Sequence, residues 1–145
     1  MLKSNLDVVL QYFEMVDTGN EGYLELFTDD ADFFFPKFGN QKGKAALIEF
    51  GARISQKLGS IWHDKANFQY IVAPNKVVVE GQEGGTLTNG TVWPDGAVSQ
   101  GRFCSVFEFR NHKICRMYIY VDPDFGSEDQ RNVAIFHRTE QPEPA

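Results

Sequence analysis

Residues 103–122 constrain the fold more than any other part of the chain. They form two alternating patterns, 103–109 and 114–122, separated by a short polar stretch. A three-residue loop, Asn111-His112-Lys113, keeps apolar and polar side chains on separate faces of the two strands, whereas a two-residue loop would mix them. We therefore predict a hairpin with the three-residue loop. Its apolar face carries Phe103, Ser105, Phe107, Met117, Ile119 and Val121, and its other face carries Arg102, Glu108, Arg116, Tyr118, Tyr120 and Asp122.

The hydroxyl of Ser105 is the one polar group on this apolar face. On a curved sheet, such a pattern suits a small pocket better than a solid core. The chain has 145 residues, enough for one domain with a core, and 13 of them are phenylalanines that can line a cavity as well as fill a core. We predict a hydrophobic pocket on the concave side of the sheet.

Charge and composition exclude several classes of protein. The net charge of −6 gives no basic surface for nucleic acid. No apolar run approaches the ~18 residues of a membrane span, and the N-terminal residues contain no signal-peptide pattern. Cys104 and Cys115 lie beyond disulfide reach in either hairpin register, so we expect free thiols and a cytoplasmic protein.

The sequence also lacks the patterns that hold cofactors. His63, His112 and His137 have no metal-ligand spacing, and no acidic cluster accompanies them. Neither a dinucleotide fingerprint nor a phosphate-binding loop is present. We expect no metal and no cofactor.

The order of elements predicts an α+β fold. Apolar periodicity and capping signals place helices at residues 5–17, 21–27 and 44–58, and a short strand at 32–36. Strands at 68–72 and 76–80 follow, and the glycine-rich residues 81–97 offer two alternative turns, Asn89-Gly90 and Asp95-Gly96. We predict three N-terminal helices packed on a strongly curved, mainly antiparallel sheet that forms a cone with an internal pocket. A single domain spans residues 1–137, followed by a flexible tail at 138–145.

Several segments carry a resemblance to a known family. They are residues 12–19 (YFEMVDTG), 26–31 (LFTDDA) with the aromatic-proline strand after them, 78–81 (VVEG) and 101–109 (GRFCSVFEF) with its hairpin into 120–123 (YVDP). Together they resemble the SnoaL-like branch of the nuclear-transport-factor-two-like superfamily. The similarity covers roughly residues 5–126 and rests on the order of elements. It implies a cone of helices and curved sheet around a deep pocket, as in ketosteroid isomerase, scytalone dehydratase, limonene epoxide hydrolase and polyketide cyclases.

The resemblance also assigns roles by position. In the isomerase branch a catalytic aspartate precedes the proline that ends the first strand, and here that place holds Phe35. The isomerase's oxyanion-hole aspartate falls at Ser105, so steroid isomerase chemistry is not expected. The epoxide hydrolase arrangement is absent too, because Ile119 replaces its acid. A pocket tyrosine on the first helix matches Tyr12, and the histidine of the dehydratase branch matches His63.

His63 and Tyr12 are therefore the predicted catalytic residues. Histidine exchanges protons near neutral pH, and the Tyr12 phenol would stabilise a developing enolate oxygen. The alternatives are an exposed loop histidine and an edge-of-core tyrosine. Ser105 would bind a ligand carbonyl or a neighbouring backbone carbonyl. The predicted substrate-binding residues are Ser105, Phe33, Phe35, Trp62, Phe103, Phe107, Met117 and Ile119, whereas Asp122, Glu80 and Arg102 belong to the outer face.

These expectations lead to one leading function and two alternatives. The first is a small cofactor-free enzyme of the lyase, isomerase or cyclase type, acting on a compact hydrophobic carbonyl-containing metabolite. The second is a non-catalytic module that binds a hydrophobic small molecule, and the third is a dimerisation domain. Tyr118 and Tyr120 among outer-face charges favour a homodimer through that face.

Overall fold

A computed structural model describes residues 3–96 and 98–127 of the chain. The predicted domain end at residue 137 and the predicted tail at 138–145 lie outside the described residues. No helix in the described part is long and apolar enough to cross a membrane. Cys104 and Cys115 are free thiols, as predicted.

The helices follow the capping signals of the sequence. Helix α1 (Asn5–Asp17) has the predicted bounds, and Ser4 and Asp7 form a capping box at its start. A 3₁₀ helix, Glu21–Leu26, replaces the predicted second helix, because the first strand already begins at Phe27. Helix α2 (Lys44–Ser55) ends three residues earlier than predicted, because Leu58 already pairs with Leu87 in the sheet.

In the described part of the chain, eight strands form one large sheet that is mixed rather than purely antiparallel. In spatial order the main path is β2-β1-β8-β7-β5-β3, and β4 and β6 also pair with β5. Strands β1 and β8 run parallel, and every other pairing is antiparallel. The strands are β1 (Phe27–Phe35), β2 (Gly39–Lys42), β3 (Leu58–His63), β4 (Gln69–Ala73), β5 (Lys76–Leu87), β6 (Val92–Trp93), β7 (Arg102–Arg110) and β8 (Lys113–Val121).

Strand β5 curves the sheet by changing its partners along its length. Its first part pairs with β4 and β7, and its last residues pair with β3 and β6. The change occurs near Gly81, where a Cβ atom would lie 2.5 Å from the ring of Phe68 and 3.2 Å from the ring of Phe103. Glycine is needed there because two rings pack directly on the backbone. The Asn89-Gly90 alternative closes the β5–β6 hairpin.

The predicted three-residue loop between β7 and β8 is wrong, although the predicted faces are right. The turn has two residues, Asn111 and His112, with φ angles of 54° and 62°, as a tight hairpin turn requires. The register shifts next to Glu108, where Cys115 is the extra residue of a bulge. The bulge restores the pairing that a three-residue loop would have given. Phe103, Ser105, Phe107 and Met117 are therefore buried on one face, with Ile119 and Val121 partly buried beside them.

The core lies on the concave face, beneath α1 and α2. Helix α1 packs on β3 and β5, and α2 packs on β1, β2 and β3. Phe107, Val79 and Val9 are fully buried between these layers. The convex face is covered by neither helix, and its side chains are partly or fully exposed.

Gly85 provides a test of the sheet geometry. A Cβ atom there would lie 2.0 Å from the carbonyl oxygen of Ser60 on β3. Since backbone cannot move as a side-chain tip does, we expect Gly85→Ala to lower the free energy of unfolding by about 1–3 kcal/mol in urea titrations. The control is Gly51→Ala inside α2, where the added methyl meets only the Tyr23 hydroxyl at 3.3 Å and helix propensity favours alanine. Equal stability of Gly85→Ala and the unaltered protein would contradict this register.

Candidate functional site

His63 is the last residue of β3, and its imidazole points into the interior. The side chain is only 6% exposed, so it is not the exposed loop histidine of the alternative interpretation. Its ring lies 4.8 Å from that of Phe13, 5.4 Å from that of Phe103 and 6.4 Å from that of Phe68, between centroids. Three elements therefore enclose the imidazole with aromatic walls.

Both ring nitrogens of His63 meet carboxylates. Nδ1 lies 2.5 Å from Oδ1 of Asp17, the last residue of α1, and Nε2 lies 3.2 Å from Oε2 of Glu83 on β5. The backbone N–H of His63 also donates to Oδ2 of Asp17, at 2.9 Å. The two acidic side chains are nearly as buried as the histidine, 10% and 9% exposed. One histidine thus joins α1, β3 and β5.

Lys65 extends these contacts toward the surface. Its ammonium group lies 2.9 Å from Oδ2 of Asp17 and 3.3 Å from Oε2 of Glu14, a residue whose side chain is 64% exposed. We call the set Glu14, Asp17, His63, Lys65 and Glu83 the charged cluster. It runs as a chain of contacts from the exposed flank of α1 to the buried carboxylate of Glu83.

The charged cluster favours the protonated imidazole. Burial by itself would lower the pKa of His63, but the hydrogen bonds to Asp17 and Glu83 and their negative charges raise it above its ordinary value. Burial would likewise raise the pKa of Asp17, yet His63 and Lys65 hold it below its ordinary value. The two acids therefore favour the charged form of the imidazole over the neutral form, and His63 and Lys65 favour the carboxylate form of Asp17.

Tyr12 is also in the interior, on α1. It is 8% exposed, and its ring packs edge-on against Phe13, Tyr23, Phe27 and Phe107, with centroids 5.2–6.1 Å apart. Burial raises the pKa of its phenol, and the charges of Tyr23, Glu83 and Asp17 add to the effect. The phenol is neutral, so it is available as a hydrogen-bond donor.

The other predicted site residues separate into groups. Ser105 lies on the concave face between Val79 and Ile119, and Phe103 and Phe107 lie on the same strand. Phe33 and Phe35 instead pack on Phe50 of α2, at 4.7 and 4.9 Å. Trp62 precedes His63 but points to the opposite face, where it is 47% exposed and covers Gly84. Trp62 therefore does not join the residues around His63.

Two of the clefts at the surface of the described residues are large, and neither is lined by His63, Tyr12 or Ser105. One, of about 740 Å³, is bordered by Asp64 and Phe103, and by Gln82, Arg102 and Tyr120 on the convex face. The other, of about 650 Å³, lies near Lys37, Lys57, Thr88 and Asp124. Asp122 and Glu80, assigned to the outer face, line the first cleft.

The first cleft borders the charged cluster closely. Asp64 follows His63, Gln82 precedes Glu83, and Phe103 packs on the imidazole. The predicted pocket beneath Ser105 is not one of these two clefts. Aromatic rings occupy the space around Tyr12 instead.

Sequence reasoning missed Asp17 and Glu83. One signal was present for Asp17, because an acid in the last turn of a helix opposes the helix dipole unless a cation pairs with it, and α1 has no basic residue there. Glu83 lies in the glycine-rich stretch, where no strand was predicted. Within residues 3–96 and 98–127, no group of three or more His, Cys, Asp or Glu side chains is arranged to hold a metal ion.

The fold and site define a cone-shaped α+β protein with a histidine held between acids under its first helix. The SnoaL-like domain model matches residues 9–117, and the chain belongs to that family. An NTF2-like protein from Anabaena variabilis is similar in structure, with 25% identity, a TM-score of 0.68, and coverage of 86% of this chain and 97% of that one.

Two further solved structures show the same fold at lower identity. TerC, co-crystallised with polyporic acid, shares 22% identity with a TM-score of 0.69, covering 94% of this chain and 98% of its own. A candidate polyketide cyclase from Xanthomonas campestris shares 16% identity with a TM-score of 0.67, covering 81% and 90%. Comparison with curated proteins gives no match.

The raised pKa of His63 predicts how stability depends on pH. A histidine whose pKa is higher in the folded protein than in the unfolded chain stabilises the fold. This stabilisation is complete at pH values below the pKa of the unfolded chain, about 6.5, and is lost as the pH rises through the pKa of the folded protein. We expect the advantage of the unaltered protein over His63→Gln, in free energy of unfolding, to decrease from pH 6 to pH 9.

The control is His112→Asn, which removes an exposed histidine from the β7–β8 turn and leaves the charged cluster intact. Its pH dependence in urea titrations should follow that of the unaltered protein. A stability difference for His63→Gln that stays constant or grows with pH would show that the imidazolium is not held by its two acids.

Proposed function

We propose that this protein is a small cofactor-free enzyme of the isomerase, cyclase or lyase type that moves a proton on a compact, hydrophobic, carbonyl-containing metabolite. The observation that supports the proposal is the buried imidazole of His63 between Asp17 and Glu83. A buried charged cluster is costly for a fold, and such clusters with perturbed pKa values are concentrated at functional sites.

His63 and Glu83 would act together as the proton carrier. A proton on Nε2 can pass to the carboxylate 3.2 Å away, which leaves a neutral imidazole with its remaining proton on Nδ1, facing Asp17. Glu83 would then protonate a substrate, or in its anionic form accept a proton from a carbon next to a carbonyl. In the second case the C–H electron pair moves into the carbonyl to form an enolate.

Tyr12 would stabilise that enolate, since a neutral phenol donates a hydrogen bond to a developing oxygen anion. The Tyr12 ring and the His63 imidazole both pack on Phe13, with centroids 5.2 and 4.8 Å from that of Phe13, which supports a common site for Tyr12 and His63. The proton now on Glu83 completes each reaction. Its return to a different carbon of a conjugated enolate gives isomerisation, its transfer to a departing hydroxide releases water and gives dehydration, and its transfer to the oxygen of a second carbonyl attacked by the enolate carbon gives cyclisation.

The aromatic walls would supply binding energy. Phe13, Phe68 and Phe103 surround the imidazole, and burial of apolar ligand surface against them contributes roughly 25 cal/mol per Å². A ligand that enters from the cleft of about 740 Å³ meets Phe103 first, so its ring would move to admit the ligand.

A binding module without catalysis is the second candidate, and a specific observation favours it. Both nitrogens of His63 are occupied by acids, and Phe35 stands where the isomerase branch places its catalytic aspartate. The charged cluster would then only join α1 to the sheet, and the aromatic interior would hold a hydrophobic molecule.

We also propose a homodimer through the convex face. Strand pairing aligns an apolar row across five strands, and Tyr120 lies beside it with 48% of its surface exposed and its ring 5.7 Å from that of Phe34. Neither helix covers this row, although the guanidinium of Arg116 lies over the Tyr118 ring, 3.7 Å from its centroid. An exposed row of this kind, with arginine beside aromatic rings, supports an interface. The row consists of Ile71, Val78, Val106, Tyr118 and Phe34.

The catalytic proposal is tested once a substrate is identified, first by mass spectrometry of ligands that co-purify with the protein. We expect His63→Gln and Glu83→Gln to lower kcat by about 10²–10⁴-fold, the usual contribution of a general acid or base. Tyr12→Phe should lower kcat by about 10²-fold. His112→Asn serves as the control and should keep full activity.

Full turnover by both His63→Gln and Glu83→Gln would refute the enzymatic proposal. Polyporic acid, present in the TerC crystal structure, serves as a binding probe for calorimetry. Tight binding of a ligand that the unaltered protein never converts would support the binding module instead.

The dimer is tested by sedimentation. The unaltered chain of 16.5 kDa should sediment as a dimer, and Tyr120→Glu and Ile71→Glu should shift it to monomer, because a buried unpaired charge opposes association. The control is Ile48→Glu on α2, which changes an equally exposed apolar residue, 55% exposed, away from the convex face. A monomer for the unaltered chain would rule out the dimer.

A further inference from the structure

We propose that Lys65 is the positioning residue of this site: by holding the second carboxylate oxygen of Asp17, it sets the imidazole of His63 against Glu83. The catalytic consequence rests on the function proposed above. The structural claim does not, and it is tested below without any substrate.

The carboxylate of Asp17 is held from two sides by one short segment of chain. Oδ1 meets Nδ1 of His63, while Oδ2 accepts from the His63 backbone N–H and from Nζ of Lys65, both at 2.9 Å. His63 alone engages both oxygens, and Lys65 adds a charged donor on Oδ2 that comes from outside His63. This charge-assisted hydrogen bond strengthens the hold on the plane of the carboxylate, and with it the direction from which Oδ1 meets the imidazole.

Lys65 is itself placed by the local backbone. It opens the 3₁₀ helix Lys65–Asn67, where the Asn67 backbone N–H donates to the Asp64 carbonyl and the Asn67 side chain donates to the Asp64 carboxylate, at 3.1 and 2.9 Å. The lysine therefore starts from a fixed turn two residues after His63. Its side chain reaches back to the end of α1 and is 32% exposed.

The position of Asp17 makes a second cation necessary. Asp17 ends α1, where the partial negative charge of the helix terminus disfavours an anion, and the last turn of α1 contains no basic residue. His63 must also satisfy Glu83, so its charge is shared between two acids. Lys65 contributes the remaining positive charge at Asp17.

If Lys65 is replaced by a neutral residue, a positioning role and simple electrostatics predict opposite changes in the pKa of His63. The charged groups that face His63 are Asp17 from α1 and Glu83 from β5, and the other neighbours are aromatic rings from α1, β7 and residue 68. Lys65 carries the same sign as the imidazolium, so loss of its charge alone would raise the pKa of His63. Loss of the fixed Asp17 carboxylate would instead lower that pKa.

The experiment is an NMR pH titration of protein labelled with ¹⁵N-histidine. We expect Lys65→Met to lower the pKa of His63 and to accelerate exchange of the Nδ1–H proton with solvent by about tenfold, the effect of losing one charge-assisted hydrogen bond. Lys65→Arg, which keeps the charge and the donors, should restore both values. Glu14→Gln removes the other partner of Lys65 and should leave both values unchanged.

An unchanged or raised His63 pKa in Lys65→Met, with unchanged proton exchange, would overturn the proposal. Lys65→Gln provides a second neutral variant in case the methionine variant fails to fold, and circular dichroism checks both. The titration measures the pKa of the His63 imidazole itself and needs no substrate. The positioning role of Lys65 can therefore be tested without any measurement of catalysis. If the proposed enzymatic function proves wrong, that result does not decide the positioning role.

Discussion

The contact between Asp17 and His63 connects the first helix to the sheet at a point where no hydrogen bond between backbone atoms of the described residues joins them. It joins the end of α1 to the end of β3, and through Glu83 it continues to the second half of β5. Removing one partner of a buried ion pair typically costs about 3–5 kcal/mol, because the other charge is left without compensation. The helix that closes the cone is thus tied to the sheet by a charged contact as well as by apolar packing.

The charged cluster is placed where the sheet bends. Gly81 lets the rings of Phe68 and Phe103 pack on the backbone of β5, and the strand changes partners next to it. Beyond the bend, Glu83 pairs with His63 across β5 and β3, so both side chains enter the interior together. The same curvature that forms the cone therefore brings an acid and an imidazole into contact.

Sequence patterns predicted what depends on local periodicity and failed where distant strands meet. The faces of β7 and β8 were predicted because an apolar alternation fixes which side of a sheet each residue occupies, and the bulge at Cys115 preserved that alternation despite the wrong turn. His63 and Tyr12 were placed through family resemblance. Asp17 and Glu83 were not, because their meeting depends on the pairing of β3 with β5, in a stretch whose glycines hide the strand pattern.

The location of the ionisable groups separates this chain from the isomerase branch of the superfamily. At Phe35 and Ser105, where that branch places acids, the chain has a ring packed on α2 and a buried hydroxyl. Its buried carboxylates belong instead to the end of α1 and to β5, and a histidine lies between them. The charged cluster joins these two carboxylates and that of Glu14 to His63 and Lys65. The chain therefore places a histidine between two acids in its interior, rather than a lone carboxylate in an apolar pocket.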